Sequence, residues 1–322
     1  MQFVFHRHPR SRAAHWLRSA ALCLSALGFA AGALAQSPRP AATPAPPPSS
    51  TAAQAVTSAL AISPSPSLVK VPDGRMLAPD IARIVTRGEL VVAMLGVDTP
   101  PFFYEKKGEL MGLEVDLAKA IGKELGVNVR FNRTPKTFNA VVDTIARGEA
   151  DIAVSKLSRT LARAQVISFS QPYLSLNHAL ILNRVKFAQF ARDRSLPDVI
   201  RGFNGTVGVI AKSSFADYAK RNFPNAKIVE YPGWGEVLKA LDKGEVIGAY
   251  RDEFEVKRIL KIDPTASLVL RTVTFKDLED TLGIAVGIND PVLLAFINEF
   301  LAQRSDKLTT TKVLAAVEKN RQ

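Results

Sequence analysis

The sequence predicts an α/β protein of two similar lobes, and two observations support this prediction. Runs of Val, Ile, Leu and Phe that suit buried strands alternate with apolar residues at helical spacing, which gives the order βαβαβ. The same order returns in the second half of the chain. Strands that alternate with helices in this way form a mostly parallel sheet with helices on its faces. The chain has 322 residues, of which 47% are hydrophobic, so two soluble domains fit its length.

The first βαβαβ unit lies within residues 90–155. Leucine or isoleucine recurs every four residues from Leu113 to Leu125, which indicates a helix that Gly126 ends. A second helical face begins at Phe138. The strands of this unit are predicted at 90–95, 127–131 and 151–155.

The second unit lies within residues 206–250. Ser213 and Ser214 are suited to cap the helix that follows its first strand. Its strands are predicted at 206–210, 227–231 and 246–250. Two crossings between the units, at 176–182 and 272–284, are predicted to form a hinge, and amphipathic helices at 292–301 and 313–317 are predicted to pack on the first lobe.

The N-terminal part of the chain is predicted to direct export. Residues 1–35 combine a positive leading region, an apolar run and the small residues of Ala33-Leu34-Ala35, which is typical of a cleaved signal peptide. The apolar run is shorter than the roughly 20 residues of a spanning helix, although an uncleaved anchor is the alternative. Residues 36–76 are rich in Pro, Ala and Ser and predict a flexible tether. We therefore expect a periplasmic protein.

Composition excludes several classes of function. The only cysteine, Cys23, and three of the four histidines lie in the predicted signal. The single remaining imidazole, His178, argues against a histidine-based zinc site and against a Ser-His-Asp triad. We expect no cofactor and no metal. The net charge is +12, and the predicted signal carries four arginines and no acid, which leaves +8. Nucleic acid is not an expected partner, because the basic residues are mixed with acids and the chain is exported.

The run from Asp151 to Tyr173 carries the clearest candidate for a binding site. A buried strand ends here in a loop of Ser, Lys, Arg and Thr residues that includes Ser158, Thr160 and Arg163. A guanidinium can give a fork of hydrogen bonds to one carboxylate, and hydroxyls and backbone N–H groups can complete an anion site. The alternative is that Arg163 is a surface arginine in an ordinary connection.

From about Gly88 to Asn320 the chain resembles the extracytoplasmic solute-binding proteins of polar amino-acid ABC transporters, the bacterial extracellular solute-binding protein family 3. The resemblance rests on the four stretches 88–126, 138–173, 205–218 and 282–301, and the spacing of Arg163 to Phe-Ser and Pro-Tyr is its most specific feature. It implies the two-lobed periplasmic-binding-protein fold of type II, with lobe 1 formed by 77–176 and 282–322 and lobe 2 by 177–281. It also implies a monomer without catalysis that serves an inner-membrane permease.

The resemblance implies a role for each matching residue. It assigns the clamp on the ligand's α-carboxylate to Arg163, helped by the hydroxyl of Ser158. It assigns anion-binding hydroxyls of the second lobe to Ser213 and Ser214, the acid for the α-ammonium to Asp252, and the aromatic against the ligand's side chain to Phe138.

Three departures from the family pattern make the predicted cleft more positive. Lys156 stands where a small residue is usual, Lys212 where glycine is usual, and Ile247 where an aspartate is usual, while Arg251 precedes Asp252. These cations predict an acidic amino acid or a related dicarboxylate as the ligand. The alternative is that the three basic side chains point into solvent.

Two other classes of function remain open. One is an exported enzyme on the same fold, such as a cyclohexadienyl-type dehydratase, which would need a poised acid or base. A scaffold or sensor module is the other. The candidate acids and bases for an enzyme are Asp98, Asp252, Glu253 and His178.

Overall fold

The computed structural model of the chain describes residues 2–3 and 67–319. The predicted signal peptide, apart from residues 2–3, and the predicted tether up to residue 66 lie outside the described residues. The tether was predicted to reach residue 76, but residues 69–77 form a short hairpin instead. Its turn depends on Gly74, whose φ of 89° favours glycine, and on Asp73, which accepts hydrogen bonds from the backbone and side chain of Arg75.

The described strands and helices alternate along most of the chain. In chain order, the strands are β1 Gln2–Phe3, β2 Val69–Lys70, β3 Met76–Leu77, β4 Glu89–Ala93, β5 Tyr104–Lys106, β6 Glu109–Met111, β7 Asn128–Asn132, β8 Ile152–Ala153, β9 Ser168–Phe169, β10 Leu174–Asn183, β11 Thr206–Ile210, β12 Lys227–Tyr231, β13 Gly248–Asp252, β14 Leu270–Leu282 and β15 Ala285–Val286. The helices are α1 Pro79–Arg87, α2 Leu113–Leu125, α3 Phe138–Ala146, α4 Arg184–Ala191, α5 Leu196–Arg201, α6 Ser214–Asn222, α7 Trp234–Lys243, α8 Glu253–Ile262, α9 Ala266–Val269, α10 Pro291–Gln303 and α11 Thr310–Lys319.

The described residues form two α/β lobes, each built on one large sheet. The sheet of the first lobe has the order β7-β4-β8-β15-β9, and that of the second has the order β1-β14-β10-β13-β11-β12. Each sheet has the predicted parallel part, β7-β4-β8 in the first and β13-β11-β12 in the second. Both sheets are nevertheless mixed, because β15 pairs antiparallel with β8 and β9, and β10 pairs antiparallel with β13 and β14.

Two long strands connect the lobes. The strands β10 and β14 pair antiparallel from Leu174 opposite Leu282 to Asn183 opposite Leu270, and the register shifts between Asn177 and His178. The first part of this ribbon contributes to the core of the first lobe, and the part beyond His178 contributes to the cores of the second. A register shift of this kind bends a ribbon locally and increases its twist.

The C-terminal helices complete the first lobe. Leu293 and Ile297 of α10 and Val313 and Val317 of α11 are buried in the same hydrophobic core as the first sheet. The core also includes Phe254, which comes from α8 at the end of the second sheet. The described residues contain no helix with the length and apolar character needed to span a bilayer.

Candidate functional site

All eight residues that the sequence assigns to the ligand meet at one place between the lobes. They line a cavity of about 10 Å³ together with Phe215 and Asp280. That volume is close to the minimum for one water molecule. The eight are Phe138, Lys156, Ser158, Arg163, Ser213, Ser214, Arg251 and Asp252.

Arg163 carries a buried guanidinium with spare donors. It lies on a short 3₁₀ turn and is only 7% exposed. Its two terminal nitrogens donate to the Ser158 carbonyl at 3.0 Å and to Asn139 Oδ1 at 3.1 Å. Among the described residues, no carboxylate lies within 4 Å of the Arg163 guanidinium. Burial lowers the pKa of Arg163, and the charge of Asp280 partly offsets this effect. A guanidinium has five N–H donors, so these two bonds leave three of them unused.

Ser158 connects the two lobes through its hydroxyl. Its Oγ donates to Asp280 Oδ2 at 3.0 Å and lies 2.7 Å from Ser214 Oγ, the first residue of α6. Because a hydroxyl has a single proton, Ser214 is the donor in the second bond. Ser213 caps α6 by position only, since its hydroxyl donates to the Ile210 carbonyl at 2.6 Å.

Asp280 belongs to the site, although the sequence did not single it out. It lies on β14 and is 2% exposed. Burial raises the pKa of Asp280 to about 6, while the hydrogen bond from Ser158 acts in the opposite direction. An acid within an ordinary strand gives no local signal, and its partner Ser158 lies 122 residues away in the chain.

Lys156 crosses from the first lobe to two acids of the second lobe. Its Nζ donates to Asp252 Oδ2 at 3.0 Å and to Glu255 Oε1 at 3.2 Å. The same ammonium lies 4.7 Å from the ring centre of Phe102 and 5.1 Å from that of Phe254. The predicted acid for a ligand's α-ammonium therefore already has an ammonium of the chain itself as a partner.

The backbone of Lys156 is held by a buried carboxylate that the sequence did not predict. Both oxygens of Glu114 accept from the Lys156 N–H at 3.0 Å, and the Tyr173 hydroxyl donates to Glu114 Oε1 at 2.5 Å. Burial raises the pKa of Glu114 to about 7, against the hydrogen bond from Tyr173 and the charge of Lys156. Lys156 has a φ of 49°, a left-handed conformation that a lysine rarely adopts.

Arg251 fills the aromatic part of the site. Its guanidinium lies 5.6 Å from the ring centre of Phe138 and 5.8 Å from those of Phe215 and Trp234. The Nε atom lies 3.3 Å from Asp252 Oδ2, but it has no partner in hydrogen-bond geometry among the described residues. Arg251 and Asp252 are the last two residues of β13, whereas the sequence predicted the strand to end at residue 250.

The three predicted cleft cations differ in exposure. Lys156 and Arg251 are buried in the cleft, but Lys212 is exposed to solvent. The prediction that Lys212 adds charge to the cleft is therefore wrong. Lys212 has a φ of 53°, which explains why a glycine suits this position.

The acids and bases considered for catalysis each have other partners, although His178 lies opposite Asp252 in the pairing of β10 with β13 and Glu253 follows Asp252. Asp98 is exposed and paired with Arg133, and Glu253 is paired with Lys257. His178 packs in the second core against Tyr250, and burial lowers its pKa to about 4.

A larger cavity of about 300 Å³ adjoins the small one and shares Phe138 and Arg251 with it. It lies between the loop after β4, the start of α3, and the segment around Trp234. Its charged lining residues are Lys136, Arg251, Arg258, Asp98, Glu236 and Glu255. Trp234 Nε1 is buried without a hydrogen-bond partner among the described residues.

The chain is similar to known solute-binding proteins along most of its length. The arginine-binding protein 1 of an ABC transporter from Escherichia coli (strain K12) is 26% identical over 205 residues, which cover 63% of this chain and 80% of the relative. An arginine-binding periplasmic protein from Mannheimia haemolytica is 24% identical over 68% of this chain and 86% of its own length.

A solved structure of an amino acid-binding protein is also similar to this chain. An ancestral amino acid-binding protein described as a precursor of cyclohexadienyl dehydratase superposes with a TM-score of 0.57 at 25% identity, over 74% of this chain and 97% of its own. The sequence profile of the bacterial extracellular solute-binding proteins, family 3, matches residues 90–316. The predicted two-lobed fold of type II is thereby confirmed, and the chain belongs to the bacterial extracellular solute-binding proteins, family 3.

Proposed function

We propose that the chain is the periplasmic solute-binding component of an ABC transporter, and that it captures an amino acid or a related small carboxylate between its lobes. Membership of the family supports this function, as do relatives named as arginine-binding and periplasmic proteins. The captured solute would be passed to a permease in the inner membrane.

The observation that carries the proposal is the unpaired guanidinium of Arg163. A buried charge is costly unless an opposite charge or several hydrogen bonds compensate it. Arg163 has carbonyl and amide partners but no carboxylate within 4 Å among the described residues. The hydroxyls of Ser158 and Ser214 line the same cavity. A ligand carboxylate placed here would complete the arginine's hydrogen bonds and balance its charge.

Hinge closure is part of the proposed mechanism. A cavity of about 10 Å³ cannot admit even a small amino acid, so the lobes must separate for the ligand to enter. Hydrogen bonds to charged groups contribute about 1.5–3 kcal/mol each, and micromolar affinity needs about 8 kcal/mol. The part of the binding free energy that these hydrogen bonds do not supply must come from burial of the ligand as the lobes close. Closure also gives a permease a ligand-dependent shape to recognise.

An anionic side chain on the ligand is the finer part of the proposal. Two residues that line the cavity of about 300 Å³ have buried N–H donors without partners among the described residues, Arg251 Nε and Trp234 Nε1. An acceptor such as a second carboxylate would suit both. A basic side chain, as the names of the relatives suggest, would instead depend on the acids Asp98 and Glu236.

Trp234 offers a direct test. It is the only tryptophan outside the predicted signal, since the other is Trp16. Acidic, neutral and basic amino acids and dicarboxylates should be titrated while Trp234 emission and thermal stability are followed. The proposal expects a saturable change in emission and a higher Tm with at least one of these solutes, and Trp234→Phe should lose the emission change and show a smaller Tm shift, because its indole N–H is one of the proposed donors. No response from any of these solutes would contradict the proposed function.

One observation keeps the enzyme as a second candidate. Burial raises the pKa of Asp280 to about 6, so a carboxyl that can exchange a proton near neutral pH lies in the cleft. A structural relative is also described as a precursor of cyclohexadienyl dehydratase. Incubation with a cyclohexadienyl carboxylate should give no turnover if the chain only binds solutes. Turnover that Asp280→Asn abolishes would establish the enzyme instead.

A further inference from the structure

The cleft contains a cage suited to an ammonium ion, and residues of both lobes form it. Asp252 and Glu255 provide two carboxylates, and Phe102 and Phe254 provide two aromatic rings that meet edge to face with centres 5.2 Å apart. Carboxylates and ring faces are the groups that stabilise a buried ammonium. All four side chains are buried, with exposures between 0% and 2%.

The cage is filled by the chain itself. Lys156 Nζ lies at hydrogen-bond distance from both carboxylates and within 5.1 Å of both ring centres. The second oxygen of Asp252 accepts from the Glu255 N–H at 3.1 Å and caps α8. Glu255 has a further ion pair with Arg258 at 3.0 Å. Neither acid is left free for a second ammonium.

Hydrogen bonds to its backbone also hold Lys156 in this position. Glu114 accepts from its backbone N–H with both oxygens, and Tyr173 in turn donates to Glu114. The φ of 49° at Lys156 is strained for a lysine, and such strain persists only where surrounding contacts enforce it. Lys156 is therefore a fixed part of the cleft and does not merely extend into it from the surface.

The charges of the cleft are thus asymmetric. The two carboxylates of the cage are balanced by Lys156 together with Arg258, whereas Arg163 has no carboxylate partner among the described residues. A free amino acid would bring one carboxylate that the cleft lacks and one ammonium that it already contains. To pair with Asp252 or Glu255, its ammonium would have to displace Lys156, and the third carboxylate of the cleft, Asp280, already accepts from Ser158 and Tyr218, so each of these sites costs affinity.

We infer that this cleft selects a small carboxylate that carries no amino group beside the carboxylate, because Lys156 supplies that ammonium from the chain. The inference rests on the proposed function and narrows its ligand class. Lys156 is the specificity-determining residue, and Arg163 remains the group that holds the carboxylate.

Matched acids that differ only in the α-amino group test the inference. L-Glutamate with glutarate, L-phenylalanine with phenylpropionate, and L-arginine with its deamino acid cover acidic, aromatic and basic side chains. Each would be titrated calorimetrically into the wild type, Lys156→Gly and Lys212→Gly. The second variant is the control, because Lys212 has nearly the same left-handed backbone and is exposed.

In the pair that binds, the wild type and Lys212→Gly should prefer the deamino acid at least tenfold. Lys156→Gly should reverse that preference, because the ligand's ammonium can then enter the vacated cage. A wild type that prefers the amino acid would overturn the inference, and this comparison decides alone if Lys156→Gly does not fold. An unchanged ratio in a folded Lys156→Gly would also overturn it. If no acid binds any of the three proteins, the proposed function itself fails and the inference fails with it.

Discussion

Lys156 Nζ and Asp252 Oδ2 lie 3.0 Å apart, and the two residues belong to different lobes. Both side chains are almost fully buried, at 3% and 2% exposure, so solvent screens their attraction little. Removal of one partner from a buried pair leaves an uncompensated charge, which is more costly than the pair is favourable. This ion pair therefore links closure of the lobes to the charge state of the cleft.

Loss of the Lys156 ammonium should destabilise the protein. Lys156→Met keeps the length of the side chain and the backbone strain but leaves Asp252 and Glu255 without their common partner. The expected cost is about 3–5 kcal/mol in the free energy of unfolding, measured by chemical denaturation. Lys212→Met is the matched control and should change stability by less than about 0.5 kcal/mol, because that side chain is exposed. Equal effects of the two substitutions would contradict the buried pair.

Glu114 should make stability fall as the pH rises. Burial raises its pKa in the folded state to about 7 from an ordinary value of 4.5. The folded protein therefore binds more protons than the unfolded chain between these values, and stability is lost as the pH rises through 7. Glu114→Gln cannot ionise, so the stability of the wild type relative to this variant should decline by up to about 3 kcal/mol between pH 4.5 and 8. A difference that does not depend on pH would show that Glu114 does not titrate in this range.

His178 should produce the opposite dependence. Burial lowers its pKa in the folded state to about 4 from 6.5, so the unfolded chain binds the extra proton first, and stability is lost as the pH falls from 6.5 towards 4. The ring packs against Phe215, Tyr218 and Tyr250. His178→Phe keeps an aromatic ring there and removes the titration. The Tm of the wild type should therefore drop more steeply than that of the variant over this range, and parallel curves would refute the assignment.

The sequence predicted the fold and most of the cleft because the signals involved are local. Helical periodicity and the doubled strand order predicted two α/β lobes, and the spacing of Arg163 to Phe-Ser and Pro-Tyr singled out one loop. The structure places Arg163 beside Ser158 and opposite Ser214, although their roles in binding stay predictions. Local patterns could suggest which residues gather there, since each follows a strand or begins a helix.

The direction of the lysine side chains could not be predicted in the same way. Lys156 and Lys212 have nearly equal φ angles, and the first is buried while the second is exposed. The difference arises from Glu114, Asp252 and Glu255, which lie 42 to 99 residues from Lys156 along the chain. Asp280 was missed for the same reason, because only the tertiary contact with Ser158 distinguishes it from any other acid in a strand.

The most direct test of the account is a calorimetric titration of Arg163→Ala beside Arg159→Ala. The two arginines share one loop, but Arg163 is buried in the cleft and Arg159 is exposed. With the tightest-binding acid of the matched pairs, the account predicts at least a hundredfold loss of affinity for Arg163→Ala, about 2.7 kcal/mol, at unchanged Tm. Arg159→Ala should bind as the wild type does. An affinity for Arg163→Ala within threefold of the wild type would contradict the carboxylate clamp and the binding site built on it.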